Sequence, residues 1–157
     1  MLLALTVGWW MVLWAPATQA QALTPTDRDA EAGRPFTRTF RPAEYGAHEQ
    51  TWAVVEDEQG VLYFGNGSGL LTYDGLSWEL LLMSNKRDVR SLARDASGRI
   101  WVGAVRDLGY LAADSVGQMT FVSLRDKIPE AHRDFTDIWE THASPDGVYF
   151  TSDTALF

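Results

Sequence analysis

Gly65-Asn66-Gly67-Ser68-Gly69 is the stretch whose spacing first suggests chemistry, because close-set glycines expose backbone N–H groups that can cradle phosphate. It lacks the Lys-Ser/Thr pair of a nucleoside triphosphatase. Its glycines are wrongly spaced for a dinucleotide fold, and a strand pattern rather than a helix follows, so it reads as a tight strand-to-strand loop. His48, His132 and His142 lie far apart, none beside a second ligand at a metal spacing. Glu56, Asp57 and Glu58 crowd a turn, where they cap and solvate; a carboxylate pair for glycoside cleavage is defined by spatial separation, which a sequence does not give. No serine sits in a nucleophile elbow. Cysteine is absent, which removes disulfides, thiol catalysis, thiolate metal sites and a lipoprotein cysteine together. The expectation is a chain that is not itself an enzyme, with no catalytic residue, no metal and no cofactor. A net charge of −8, with 21 acidic against 13 basic residues, disfavours nucleic acid as a partner, since phosphate neutralisation needs clustered Lys and Arg.

The elements that would position a site come in copies. Asp57-Glu58-Gln59-Gly60-Val61-Leu62-Tyr63-Phe64-Gly65 returns as Asp95-Ala96-Ser97-Gly98-Arg99-Ile100-Trp101-Val102-Gly103, an offset of 98 − 60 = 38. A weaker third copy has Ser144-Pro145-Asp146-Gly147 ahead of Val148-Tyr149-Phe150. A period of roughly 40 residues, built of short apolar runs with Gly and Asp between them, is the signature of four-stranded β-propeller blades. The fold class is therefore all-β, an incomplete β-propeller of about three four-stranded antiparallel blades, with copies at about 51–83, 89–124 and 136–157, the last truncated. In the first copy strands are expected over Trp52–Glu56, Val61–Gly65, Leu70–Tyr73 and Trp78–Met83. Matching first strands are Arg90–Arg94 and Asp137–Thr141. Gly69-Leu70-Leu71-Thr72-Tyr73-Asp74 pairs with Gly109-Tyr110-Leu111-Ala112-Ala113-Asp114 at an offset of 40, which predicts a two-residue insertion between the second and third strands of the second copy. Insertions in repeats fall in loops, often on the binding face. Asn66, Ser68, Arg106 and Asp107, loop residues that differ between copies, are the candidate ligand-binding positions. Trp52, Tyr63, Tyr73, Trp78, Trp101, Trp139 and Tyr149 recur at like places and read as packing between sheets, with stacking platforms for sugar rings at the propeller mouth as the alternative for some of them.

Ahead of the copies, Met1 to Trp14 is apolar apart from Thr6, and small and polar residues follow to Ala22. This is the pattern of an export signal helix, residues 1–22, cleaved after Ala20 or Ala22; the missing basic start implies either a start codon further upstream or a membrane anchor as the alternative. Residues 23–35 read as a linker. Residues 36–157 form the partial propeller, with Phe36-Thr37-Arg38-Thr39-Phe40 as a lone strand, Arg41–Gln50 as a loop, and Arg125–Phe135 as a longer connection holding one helical turn. Closed propellers need four to eight blades, so about three imply either the N-terminal part of a longer protein or a gene fragment that does not close alone.

The blade text Asp95 to Gly103, followed by Leu108-Gly109-Tyr110-Leu111, resembles the two-component regulator propeller repeat, with its Asp-x-x-Gly-x-hydrophobic-Trp-hydrophobic-Gly and a following Gly-Leu. Trp52-Ala53-Val54 through Asp74-Gly75 resembles the first blade of that sensor group. The resemblance implies an exported chain that builds one or two seven-bladed propellers, then a β-sandwich, a membrane helix and a kinase, cyclase or DNA-binding output. By resemblance this chain is the start of a periplasmic, ligand-sensing signal-input module. Its expected partners are a small molecule or oligosaccharide and the remaining blades. The membrane is reached only through the leader or a downstream helix, and a homodimer of the full-length form is open. Two rivals stand: a propeller enzyme, either glycosidase or quinone-dependent dehydrogenase, and a secreted binding or scaffold propeller. The sialidase Asp-box is met only in part by Ser144 to Tyr149.

Overall fold

The computed structural model describes residues 37–81, 83 and 88–157. The export signal, the linker and Phe36 lie outside the described residues. Thr39–Phe157 is one compact unit. Among the described residues no helix is long and apolar enough to cross a membrane.

Among the described residues ten strands follow a short helix, α1 (Pro42–Tyr45). They are β1 (Thr51–Glu56), β2 (Leu62–Asn66), β3 (Gly69–Tyr73), β4 (Trp78–Leu81), β5 (Val89–Arg94), β6 (Ile100–Ala104), β7 (Asp107–Ala113), β8 (Met119–Ser123), β9 (Ile138–Ser144) and β10 (Gly147–Ser152). They form two four-stranded antiparallel sheets, ordered β1-β2-β3-β4 and β5-β6-β7-β8, and a β9-β10 hairpin. Beyond β10 the chain turns back, Leu156 bridges to Thr151, and Phe150 and Phe157 exchange both backbone hydrogen bonds. The first strands pack side by side, β1 against β5 and β5 against β9. This is the architecture of propeller blades arranged around their innermost strands.

Why the motif folds as it does is visible in the first hairpin of each of the first two blades. Asp57 Oδ1 accepts from the N–H groups of Gln59 and Val61, both at 2.9 Å, and its Oδ2 accepts from the Tyr63 hydroxyl at 3.0 Å. Asp95 repeats this with Ser97 and Arg99, and its Oδ2 accepts from the Trp101 indole N–H at 2.7 Å. Asp114 closes the β7–β8 turn through Val116 and Gln118 in the same way. One carboxylate thus fixes a turn that Gly60 (φ 82°) and Gly98 (φ 86°) complete in the left-handed region, and it anchors the aromatic residue six positions on.

The last glycine of each motif is a spacer. A Cβ on Gly65 would lie 2.9 Å from the carbonyl oxygen of Val89, and one on Gly103 would lie 2.5 Å from Ile138 Cγ2 and closer still to Ser91 Oγ. Val89 and Ile138 both open the first strand of the following blade. Close approach of the Gly65 backbone to Val89 lets Tyr63, Leu70, Met83, Val89, Leu92, Ile100, Val102, Ala104 and Leu111 close one core between the two sheets. Leu108, Ile128, Phe135, Ile138 and Phe150 form a second core against the β9-β10 hairpin.

Four expectations need correction. The register Gly65↔Leu70 recurs as Gly103↔Leu108, so the offset of 38 runs on into the third strand and the β2–β3 and β6–β7 turns are both two residues long. The extra residues lie further on, in the β7–β8 hairpin: β7 has seven residues where β3 has five. Local resemblance of the Gly-Leu and Gly-Tyr-Leu segments misled the alignment because cross-strand pairing is not visible in one strand's letters. Arg106 and Asp107 therefore flank no insertion. Secondly, Thr37–Phe40 is not a strand; Phe40 instead packs edge-on against Tyr73 and Trp78, with centroids 5.2 and 5.1 Å away. Thirdly, residues 42–45 within the expected loop form α1, with Pro42 at its first position and the Glu44 carboxylate accepting from the Arg41 N–H. Finally, the connection to β9 holds two 3-10 turns, Arg125–Lys127 and Glu130–His132, rather than one.

Candidate functional site

Antiparallel strands alternate in direction, so the starts of β1, β5 and β9 share one end of the unit with the second-to-third-strand turns. The four candidate positions all lie at this end, in two kinds of environment. Asn66 is fully buried: its Nδ2 donates to the carbonyls of His48 and Gln50 and to Thr51 Oγ1, and its Oδ1 accepts from the Ser68 N–H. Ser68 Oγ accepts from the His48 N–H at 3.0 Å. The Gly-Asn-Gly-Ser-Gly segment is thus a socket that holds residues 48–51 as they enter β1. Asp107 is buried too, and its Oδ1 accepts from Ser123 Oγ at 2.6 Å and from the Leu108 N–H. Arg106 is exposed, with φ 57° in the two-residue turn, and its carbonyl accepts from the Arg125 guanidinium.

Beside them stands a constellation that strand periodicity does not announce. Each first strand carries a β-bulge near its start: pairing skips between Thr51 and Ala53, between Val89 and Ser91, and between Ile138 and Glu140. The extra residues are Trp52, Arg90 and Trp139, one per blade at the same structural place. Bulges re-aim a side chain out of the ladder and are common beside active sites. Here they bring the three together. The Arg90 guanidinium carbon lies 3.9 Å from the Trp52 ring centroid and 5.5 Å from that of Trp139. Its Nε donates to Asp137 Oδ1 at 2.6 Å, and Asp88 Oδ2 lies 3.3 Å from Nη2. Arg90 and Asp137 are mostly buried, with 17 % and 19 % of their side chains exposed, whereas Trp139 is 52 % exposed. An open groove of about 300 Å³ runs along these strands, lined by Trp52, Arg90, Ser91, Trp139, Glu140 and His142 among others.

The aromatics therefore divide. Tyr63 and Trp101 are internal anchors, while Trp52 and Trp139 line a groove. The sequence reading aligned Asp137, not Trp139, with Trp52 and Arg90; the paired strands shift that alignment by two residues. The 38-residue offset does place Arg90 opposite Trp52, the one signal in the letters that could have led to the site.

Titration shifts lie at the opposite end, in the Asp turns. The Ser97 hydroxyl, then the Trp101 indole N–H and the Arg99 and Ser97 backbone amides, hold the Asp95 carboxyl down at about 2. Backbone amides of Ser77 and Leu76 likewise lower Asp74. Burial, and then the hydrogen bond and charge of Asp57, push the Tyr63 phenol up to about 12. Among the described residues no group of three or more His, Asp or Glu side chains is placed to hold a metal ion.

Residues 83–106, which contain β5, β6 and the Asp95 turn, match the family model described as two component regulator propeller. No curated protein matches the chain.

Proposed function

We propose that this chain is the ligand-binding, signal-input part of an exported two-component-type regulator, with its binding site in the groove where β1, β5 and β9 begin. The observation that carries the reading is the bulge repeated in three successive first strands, which sets Trp52, Arg90 and Trp139 side by side at an open groove. The match of residues 83–106 to a regulator propeller model supports the signalling role. Side chains from three blades meet there, so a ligand in the groove contacts all three at once and favours whichever relative arrangement of the blades it binds more tightly. No catalytic step is assigned to any residue.

Two experiments test this. Fusing alkaline phosphatase after Phe157 and expressing the chain in a Gram-negative host should give an active enzyme, because the reporter folds only after export; an inactive but intact fusion argues against an extracytoplasmic location. Tryptophan fluorescence titrated with a panel of oligosaccharides and small amines should reveal a saturable response that Trp139→Ala removes and Ser115→Ala leaves intact. A response that survives Trp139→Ala places the ligand elsewhere.

A further inference from the structure

The groove holds a guest already. Arg90 lies over the Trp52 ring and within cation–π reach of Trp139, while Asp137 and Asp88 take its N–H groups. Two aromatic faces and two carboxylates around one cation are the parts of a cation cage. Arg90 contributes that cation from the chain itself. Besides Arg90, the titratable groups in the groove lining are Glu140, which adds negative charge, and His142. The Asp88 and Asp137 carboxylates that hold Arg90, together with Glu140 in the groove wall, leave an excess of negative charge around the cage once Arg90 moves aside, which favours a cation over a neutral or anionic ligand.

We infer that the groove is a cation-binding site which Arg90 occupies from within, and that its ligand carries a guanidinium or alkylammonium group that displaces Arg90 from between Trp52 and Trp139. This rests on the reading of the groove as the ligand site and specifies what enters it. The geometry gives the ligand group the same partners that Arg90 uses: the Trp52 face, the exposed Trp139 ring, and the Asp137 carboxylate. Arg90 acts as a tethered competitor. Because only the fraction of molecules with Arg90 displaced can bind, the apparent affinity falls by that fraction, and a cage open a tenth of the time binds about tenfold more weakly than an empty one.

The test uses the whole chain with Arg90→Ala, which removes the guest and leaves the cage. Methylguanidinium is titrated in by calorimetry and tryptophan fluorescence, with N-methylurea as the neutral analogue of the same shape. The expected result is saturable binding of methylguanidinium, at least tenfold tighter to Arg90→Ala than to the parent chain, with N-methylurea inert and with binding lost on adding Asp137→Asn or Trp52→Ala. Equal response to N-methylurea, or no response to methylguanidinium in a folded Arg90→Ala chain, overturns the cage. If Arg90→Ala does not fold unaided, recovery of its circular dichroism by methylguanidinium and not by N-methylurea supports the inference, and no recovery overturns it. A neutral sugar that binds and is lost with Trp139→Ala, while methylguanidinium fails, overturns the cation cage but leaves the ligand-input reading intact.

Discussion

Gly103→Ala isolates the contact on which blade-to-blade packing depends. The new methyl would meet Ile138 Cγ2 at 2.5 Å and Thr141 Oγ1 at 2.9 Å, and would fall on Ser91 Oγ, so either side chains or a whole strand must move. Overpacking of this kind costs about 1–3 kcal/mol. Ser91 Oγ also donates to the Ile138 carbonyl at 2.9 Å, a bond linking the first strands of two blades, and displacing it adds about 1 kcal/mol. Against this, alanine restricts the unfolded chain and returns about 0.5–1 kcal/mol. The net expectation is a loss of about 1–3.5 kcal/mol. In urea, with a slope of about 2 kcal/mol per M, the unfolding midpoint should fall by roughly 0.5–2 M at an unchanged slope. Gly147→Ala is the control, because nothing lies within 4 Å of a Cβ there and its φ is not positive. It should stay within about 0.5 kcal/mol of the parent chain. If Gly103→Ala is also within that margin, the glycine is not a spacer and the account of why the motif ends in Gly fails.

The Asp turns give a pH signature. Asp95, ordinarily near 3.8, is held at about 2 in the folded chain, so its contribution is present above the unfolded value and is lost as pH falls from about 4 through 2. Because that carboxylate is largely solvated the effect should stay under about 1 kcal/mol, and Asp95→Asn should flatten the acid limb of the urea midpoint against pH. Tyr63 should appear in an ultraviolet titration as a phenol ionising at about 12, above the usual 10, and Asp57→Asn should bring it down. Since this folded value is raised, the stabilisation is whole below pH 10 and disappears as pH climbs through 12. Arg90→Leu should destabilise the chain by roughly 2 kcal/mol, because it leaves the mostly buried Asp137 without its charged donor, and the double change Arg90→Leu with Asp137→Leu should recover part of that loss in a double-mutant cycle.

The repeating hairpins were legible in the letters because what holds them is local. Asp57 and Asp95 bond to groups two, four and six residues downstream, and a glycine with positive φ completes each turn, so spacing alone identifies the motif and the strands that flank it. The resemblance to regulator propellers rested on those same residues, and the family model matches across the second copy of them. Asn66 and Asp107 differ between the copies and sit in turns, which made them look available; three dimensions bury both within hydrogen bonds to segments 15 to 18 residues away. The placement of the extra residues in the β7–β8 hairpin was equally hidden, since it depends on which residue faces which across two strands.

Composition, period and the Asp-x-x-Gly spacing were thus enough to determine an all-β chain of blade-like hairpins, because each hairpin is specified by bonds within a few residues. The meeting of Trp52, Arg90 and Trp139 was decided by tertiary structure alone. It needs a bulge at the same place in three strands and a glycine spacer that lets neighbouring blades come within side-chain reach, across separations of 38 and 49 residues that no local interaction spans.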